Sequence, residues 1–196
     1  MNYNDFNLRK YNKKKQMYRF TLGIQQLWNY PLLNLIWVLF VYGVVRLVMV
    51  KREYIASMDV YPMLEDVFSV CMTTITIIFP IICAIGIIQL IGFCFAQSDE
   101  AKLAKVFGNK QEYQVPILIY KKIDWKSKVI KREFYTDIPL KCWQEKIDTI
   151  CFDFTMHLIG DITYGGKNKN TGNHIYFESA DGMNPEGRGI LYDDTF

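Results

Sequence analysis

The feature that most constrains this chain is an uncharged apolar run from Val67 to Ser98, lying between Asp66 and Asp99. A helix rises about 1.5 Å per residue, so about 20 residues cross a hydrocarbon core of roughly 30 Å. A helix that is apolar on every face could also be buried in a large soluble protein, but 196 residues supply too little protein to cover it. The run therefore predicts a transmembrane helix over residues 67–97.

A second apolar run, from Pro31 to Val50, has the length of another span. Trp28 and Tyr30 lie near its start, and aromatic rings of this kind favour the membrane interface. Arg46 is the exception within the run. Two explanations are open: its side chain extends to the headgroups at the nearer end of the run, or it pairs with an acid such as Asp66.

The charge distribution predicts an orientation. Residues 1–30 hold six bases against one acid, whereas residues 51–66 hold two bases against four acids. Because basic segments stay on the cytoplasmic side, we expect a basic cytoplasmic tail at 1–30 and a short external loop at 51–66. The result is a two-helix hairpin in the cell (inner) membrane with both termini in the cytoplasm. The bases expected to contact anionic headgroups of the bilayer are Lys13, Lys14, Lys15, Arg19 and Arg46.

The remainder of the chain predicts a small domain of the α+β class. Residues 98–112 are expected to form a short linking helix that Gly108 can end. This helix either continues from the second span or turns along the membrane face. Residues 113–196 are then expected to form a cytosolic ββαββ domain. The segments PILIYKKI and KVIKREFYT predict its first hairpin, and DITYGG with HIYFESA predicts its second.

The helix between these hairpins is predicted over residues 137–160, where apolar residues recur at spacings of three and four. This periodicity is typical of a helix that packs on a sheet. We expect residues 110–196 to fold without the membrane. The expected core of the domain is Trp143, Ile147, Ile150, Phe154, Ile162, Ile175 and Phe177.

The sequence predicts neither an enzyme nor a bound metal or cofactor. His157 and His174 have no cysteine or acid at ligand spacing, and no GxxxxGK[ST] phosphate-binding loop is present. Residues 99–196 hold 14 bases against 15 acids. This half of the chain lacks the basic excess that binding to DNA or RNA requires, so we expect no nucleic acid partner for it.

The order of these parts resembles the membrane-anchor portion of FtsK/SpoIIIE-type DNA translocases found on conjugative elements and plasmids. The resemblance is carried by IPLKCWQEKIDTICFDF, residues 138–154, and by the ending GILYDDTF, which is similar to the segment that precedes the motor domain in those proteins. The chain departs from the family in that it holds no Walker A lysine or Walker B acid and stops where the ATPase is expected to begin. On this resemblance it is expected to be either a fragment or a relative without the motor. The resemblance implies a non-catalytic anchoring and oligomerising module, with a separate ATPase or other conjugation proteins as partners.

A second interpretation is a free-standing two-span membrane sensor or effector whose cytosolic domain binds a ligand or a protein partner. Both interpretations require a homo-oligomer. Small and polar residues in a span let helices approach closely and hydrogen bond across their interface. The expected oligomer contacts on the second span are Thr73, Thr76, Gly86 and Gln89.

Overall fold

A computed structural model describes residues 3–57, 61, 64–108 and 115–182 of the chain. Its elements belong to the α+β class and include two long apolar helices, as the sequence predicts. The helices are α1 (Tyr3–Asn29), α2 (Leu35–Ser57), α3 (Glu65–Phe107), α4 (Leu140–Glu145) and α5 (Ile147–Phe154), with a 3-10 turn at Pro31–Asn34. The strands are β1 (Ile117–Asp124), β2 (Val129–Tyr135), β3 (Met156–Leu158), β4 (Thr163–Gly165) and β5 (Thr171–Asp181).

Helices α2 and α3 are both long and apolar enough to cross a membrane. Their aliphatic side chains point outward: Leu39, Ile82 and many neighbours are largely exposed. Toward the C-terminal end of α2, Lys51 Nζ donates a hydrogen bond to Thr73 Oγ1 of α3 at 3.0 Å. Helix α2 extends to Ser57 and α3 begins at Glu65, so most of the expected loop at 51–66 is helical or lies outside the described residues.

Helix α3 continues without a break beyond the apolar run, so the described part of the linking helix expected at 98–112 is a continuation of the second apolar helix, the first of the two expected arrangements. It ends at Phe107, and Gly108 follows with a φ of 79°, a left-handed conformation that favours glycine. Lys146 Nζ donates to the Val106 carbonyl at 2.7 Å and so satisfies one of the free carbonyls at this helix end. Residues 109–112 of the expected helix lie outside the described residues.

Residues 3–29 form helix α1 rather than the tail expected at 1–30. The helix packs against α3 and β1, with Leu22 and Gln26 fully buried. Few apolar residues lie on its packed face, and one contact there is made by Gly23. Because glycine and polar residues such as Arg19 and Gln26 share this buried face with Tyr11 and Leu22, the helix gives little hydrophobic periodicity, and the sequence pattern does not reveal it.

The described strands form one antiparallel sheet in the order β1-β2-β5-β3, and β4 also pairs with β5. The predicted hairpins are both present, β1 with β2 and β4 with β5. The element order is nevertheless ββααβββ, so the expected ββαββ arrangement is corrected. Strand β5 is central because it pairs with β2 on one side and with both β3 and β4 on the other.

The extra elements arise within the helix expected at 137–160. That segment divides into α4 and α5 at Lys146, and α5 ends at Thr155, whose φ of 52° is left-handed. A residue in this conformation ends an α-helix and lets the chain turn back. Met156 then begins β3, which pairs with the end of β5, so His157 lies in a strand and not in a helix.

The domain core contains the predicted residues, with Ile147 only partly buried at its edge. It also contains four buried side chains from outside the expected domain: Leu22 of α1 and Ala96, Leu103 and Val106 of α3. The core is therefore shared between α1, α3 and the sheet. Residues 110–196 alone would lack these apolar contacts, and the independent folding of this segment stays a prediction.

Candidate functional site

Helices α1 and α3 meet in a close contact that depends on two glycines. A Cβ on Gly23 would lie 2.0 Å from the Ile88 carbonyl oxygen, and one on Gly92 would lie 1.9 Å from the Arg19 carbonyl oxygen. Neither distance is possible without moving a helix backbone. This contact lies next to the place where the apolar run of α3 ends and the charged residues begin.

The first carboxylate after the apolar run, Asp99, binds two bases of the sheet. Its Oδ2 lies 3.0 Å from Arg132 Nε on β2 and 2.9 Å from Lys121 Nζ on β1. Arg132 Nη1 also donates to Ser179 Oγ on β5 at 2.6 Å, and its guanidinium lies over the Phe154 ring. Asp99 and Arg132 are both buried. Asp99 therefore fixes α3 to β1 and β2, and Arg132 extends these contacts to β5 and α5.

The second carboxylate, Glu100, binds α1 and β1. Its Oε2 lies 2.5 Å from Arg19 Nη2 and 3.7 Å from Lys15 Nζ. Its Oε1 accepts a hydrogen bond from the Leu118 backbone N–H at 2.9 Å. Glu100 and Arg19 are each only 5% exposed. Two adjacent carboxylates thus hold together the first helix, the long apolar helix and the sheet.

We name this cluster of buried charges the junction, and it consists of Arg19, Asp99, Glu100, Lys121 and Arg132. Removing one partner of a buried ion pair typically costs about 3–5 kcal/mol, because the other charge is left buried and uncompensated. The hydrogen bonds and ion pairs of the junction hold elements in fixed relative positions. Among the described residues no group of three or more His, Cys, Asp or Glu is placed to hold a metal ion.

Helix α1 also covers the edge of the sheet. Gln26 Nε2 donates to the Lys121 carbonyl at 2.8 Å, and the Tyr11 hydroxyl donates to the Val115 carbonyl at 3.1 Å. Lys14 Nζ donates to the Tyr135 hydroxyl, which raises the pKa of Lys14. Covering an edge strand removes a template for pairing with other chains.

The five bases expected at the membrane surface occupy different environments. Arg19 and Lys15 bind Glu100, and Lys14 binds Tyr135, so these three have protein partners. Lys13 is exposed on α1. Arg46 is exposed on α2, and no carboxylate within the described part of the chain lies at ion-pair distance from it, Asp66 included.

The four expected oligomer contacts lie on α3 and are not brought together in one site. Thr73 accepts the Lys51 hydrogen bond inside its own hairpin, and Thr76 donates to the Met72 carbonyl of its own helix at 2.6 Å. Gly86 and Gln89 are exposed, and a Cβ on Gly86 would meet nothing within 4 Å. Thr73 is exposed too, but its hydroxyl is engaged by Lys51, so Gly86 and Gln89 are the two exposed residues of the four for which no side-chain hydrogen bond is seen among the described residues.

The two histidines also have protein contacts. His174 Nδ1 lies 2.7 Å from Glu133 Oε1, which also accepts the Gly166 N–H at 2.8 Å. His157 Nδ1 lies 2.8 Å from the Gly182 carbonyl oxygen. Both are thus held as ordinary polar side chains.

Sequence reasoning missed Asp99, Glu100 and Arg132 as a buried cluster. One signal was available for Arg132, because Ile130, Arg132 and Phe134 alternate along β2 and all three face the core. A charge at a core-facing strand position requires a buried partner of opposite sign. Nothing local identifies that partner, since Asp99 is 33 residues away in the sequence.

Comparison with protein-family models finds no match, and comparison with curated proteins finds none either. Comparison with solved structures finds a similarity to a structure described as the pCW3 conjugation coupling protein TcpA, monomer form with ATPgS. The sequences are 19% identical, the TM-score is 0.35, and the match covers 43% of this chain and 23% of that chain. This chain therefore corresponds to less than a quarter of that protein's length, and a TM-score of this size does not establish a common fold.

Proposed function

We propose that this protein is a two-span membrane anchor that holds a cytoplasmic α+β domain in a fixed position at the inner membrane. The observation that carries the proposal is the division of α3. Large apolar side chains are exposed along its first part, including Val70, Ile78 and Ile82, whereas Ala96 and Leu103 in its last part are fully buried in the domain core. One continuous helix thus contributes both to the proposed membrane hairpin and to the core of the α+β domain.

The exposed apolar surface supports insertion in a bilayer. Leaving a Val, Leu, Ile or Phe side chain in water forgoes about 1.5–3 kcal/mol relative to burying it, and α2 and α3 expose many of them. From Thr73, beside Lys51, to Ile91, next to the Gly92 contact with α1, the helix rises about 27 Å, close to the thickness of a hydrocarbon core. This segment of α3 and residues 31–50 would form the hairpin within the bilayer.

The junction supports the coupling of this anchor to the domain. Its buried charges begin at Asp99, directly after the apolar run, and reach α1, β1 and β2. Because these contacts are buried and charged, loosening any one of them is costly, so the spans and the sheet would move as one body.

Cysteine labelling of intact cells tests the anchor and its orientation. In a background where the five native cysteines are replaced, an impermeant maleimide should modify a cysteine placed at Ser57 and spare one placed at Asn168. Labelling of Asn168→Cys but not of Ser57→Cys would show that the topology is the opposite of the one proposed. Labelling of neither position in intact cells, with extraction of the protein by carbonate, would reject membrane insertion itself.

We further propose that the anchor assembles with copies of itself through the second span and serves a conjugative DNA-transfer machine, without catalysing a reaction. The resemblance of residues 138–154 to conjugative translocase anchors motivates this role, and exposed Gly86 and Gln89 supply the contacts to test. The mass of the detergent-solubilised complex should be that of a ring of roughly six copies. Gly86→Leu with Gln89→Leu should lower that mass, whereas Gly43→Leu, at another open glycine on α2, should not.

The rival is the free-standing two-span sensor or effector, and the continuous helix α3 also suits it, because a change in span packing would reach the domain. A complex of two or three copies, or a ligand that alters span packing, would favour the sensor. We expect the purified chain neither to hydrolyse ATP nor to bind duplex DNA through residues 99–196. Turnover of ATP by the unmodified protein would contradict both interpretations.

A further inference from the structure

The turn between β1 and β2 lies at the end of the domain where the chain enters the first apolar helix. Trp125 in this turn is 73% exposed, and its ring contacts Tyr30 edge to face, with centroids 6.3 Å apart. Tyr30 in turn stacks on Phe95 of α3 at 5.5 Å. Pro31, the next residue, begins the apolar run. Aromatic rings from three segments of the chain therefore lie next to one another, beside the start of the first apolar run.

The course of α1 and β1 explains why the turn lies there. The two elements run side by side in the same direction, since Tyr11 binds Val115, Gln26 binds Lys121 and Tyr30 contacts Trp125. Both therefore end at the same place. Trp28, near the end of α1, is 88% exposed as well. Tryptophan and tyrosine favour the boundary between hydrocarbon and water, where one part of the ring is apolar and the other can hydrogen bond.

A basic groove of about 640 Å³ opens beside this turn, and its lining includes Asn29, Trp125, Lys122 and Lys126. Lys122 and Lys126 are exposed, and no carboxylate in the described ranges lies within ion-pair distance of either. The acid of the turn, Asp124, is engaged locally. Its Oδ1 accepts the Lys126 N–H at 3.1 Å, and hydrogen bonding from Ser127 lowers its pKa.

We propose that the β1–β2 turn rests on the cytoplasmic leaflet and that the groove binds the phosphate of an anionic phospholipid through Lys122 and Lys126. Trp125 then lies among the headgroups beside Tyr30. This inference rests on the proposed function, because it places Pro31 at the membrane surface. It adds to that function a second attachment to the bilayer, made by the sheet itself, which would keep the domain close to the membrane.

The experiment uses the full chain in nanodiscs of phosphatidylcholine with and without phosphatidylglycerol. The fluorescence contributed by Trp125, obtained as the difference between the unmodified protein and Trp125→Phe, should resist quenching by aqueous iodide and be quenched by brominated lipid. Lys122→Gln with Lys126→Gln should weaken phosphatidylglycerol binding by about fivefold for each lysine, as expected for bases at an anionic surface. The control, Lys141→Gln with Lys167→Gln, removes the same charge from exposed positions elsewhere and should leave the affinity unchanged.

The outcomes separate the two proposals. A chain that does not enter nanodiscs at all contradicts the membrane anchor. A chain that enters them while the Trp125 fluorescence is quenched by iodide overturns the lipid contact and leaves the anchor in place. Equal phosphatidylglycerol affinity for the test and control lysine pairs overturns the headgroup site.

Discussion

The two parts of helix α3 use the same kinds of side chain in opposite surroundings. Leu90 is 59% exposed and Leu103 is fully buried, although both lie on one unbroken helix. Among the described residues, few pack around the first part, most of whose side chains are exposed, whereas the second part packs against the sheet and its helices. Apolar residues alone therefore do not distinguish a helix that faces lipid from one that faces a protein core.

The difference between the parts is marked by glycine and charge. Gly92 allows α1 to approach, and Asp99 and Glu100 bind the surrounding bases within two helical turns of it. A buried carboxylate is stable only where a positive partner and hydrogen bonds accompany it. In the proposed anchor, the pair of acids marks the point beyond which protein replaces lipid as the neighbour of the helix.

The largest expected effect comes from Asp99→Ala, which leaves Arg132 and Lys121 without their carboxylate. We expect a loss of about 3–5 kcal/mol in the free energy of unfolding of the domain. The spans should still insert, because they lie on the other side of Gly92. Thermal unfolding in nanodiscs measures the effect, and Lys141→Ala, which breaks only an exposed contact with Glu145, should stay within about 0.5 kcal/mol of the unmodified protein. Equal melting temperatures for the two variants would show that the junction does not hold the domain.

A matched pair of leucines on α3 tests the comparison most directly. Leu103→Ala should cost about 2–5 kcal/mol, because it leaves a cavity in the core. Leu90→Ala should change stability little in a bilayer, where lipid chains can fill the space. Unfolding by denaturant in nanodiscs measures both. Similar losses for both leucines would mean that Leu90 also faces protein, in an oligomer or against a partner.

Adding one methyl group at Gly92 tests the close contact between α1 and α3. Gly92→Ala places a Cβ against the Arg19 carbonyl, so we expect the helices to separate and a loss of about 1–3 kcal/mol, the usual cost of overpacking. Gly43→Ala, on α2, places its Cβ within 4 Å of no described atom and serves as the control. Protease sensitivity of residues 3–29 reports the separation. If α1 stays protected in Gly92→Ala, the contact is not what holds it.

The smallest effect is expected on the open face of the sheet, at Glu178. Hydrogen bonds from Tyr176 and Lys131 lower the pKa of this carboxyl, so its contribution to stability is present at neutral pH and is lost as the pH falls through the folded value. Because the group is partly solvated, Glu178→Gln should cost less than about 1 kcal/mol at pH 7. The difference in free energy of unfolding between the variant and the unmodified protein should vanish on acidification. A difference that grows at low pH would give the opposite sign and refute the assignment.

The sequence predicts the parts of this molecule whose signals are local. Both apolar helices, both hairpins and the core positions of Trp143 and Phe177 follow from periodicity and turn residues, and the structure contains them. Helix α1 and the junction could not be predicted in the same way. Arg19 and Glu100 are 81 residues apart, and a base in a basic segment looks the same whether it meets a headgroup or a buried acid.

The covering of β1 by α1 has a consequence for biosynthesis. The carbonyls that Tyr11 and Gln26 bind belong to residues 104 and 95 positions further along the chain. At translation rates of about 5–20 residues per second, α1 is synthesised roughly 5–20 s before these partners. During that interval Lys14 and Arg19 lack Tyr135 and Glu100, and in the proposed anchor they would be available to the charged lipid surface. The basic segment would then act first as an orientation signal for the nascent chain and afterwards as a packed helix of the finished protein.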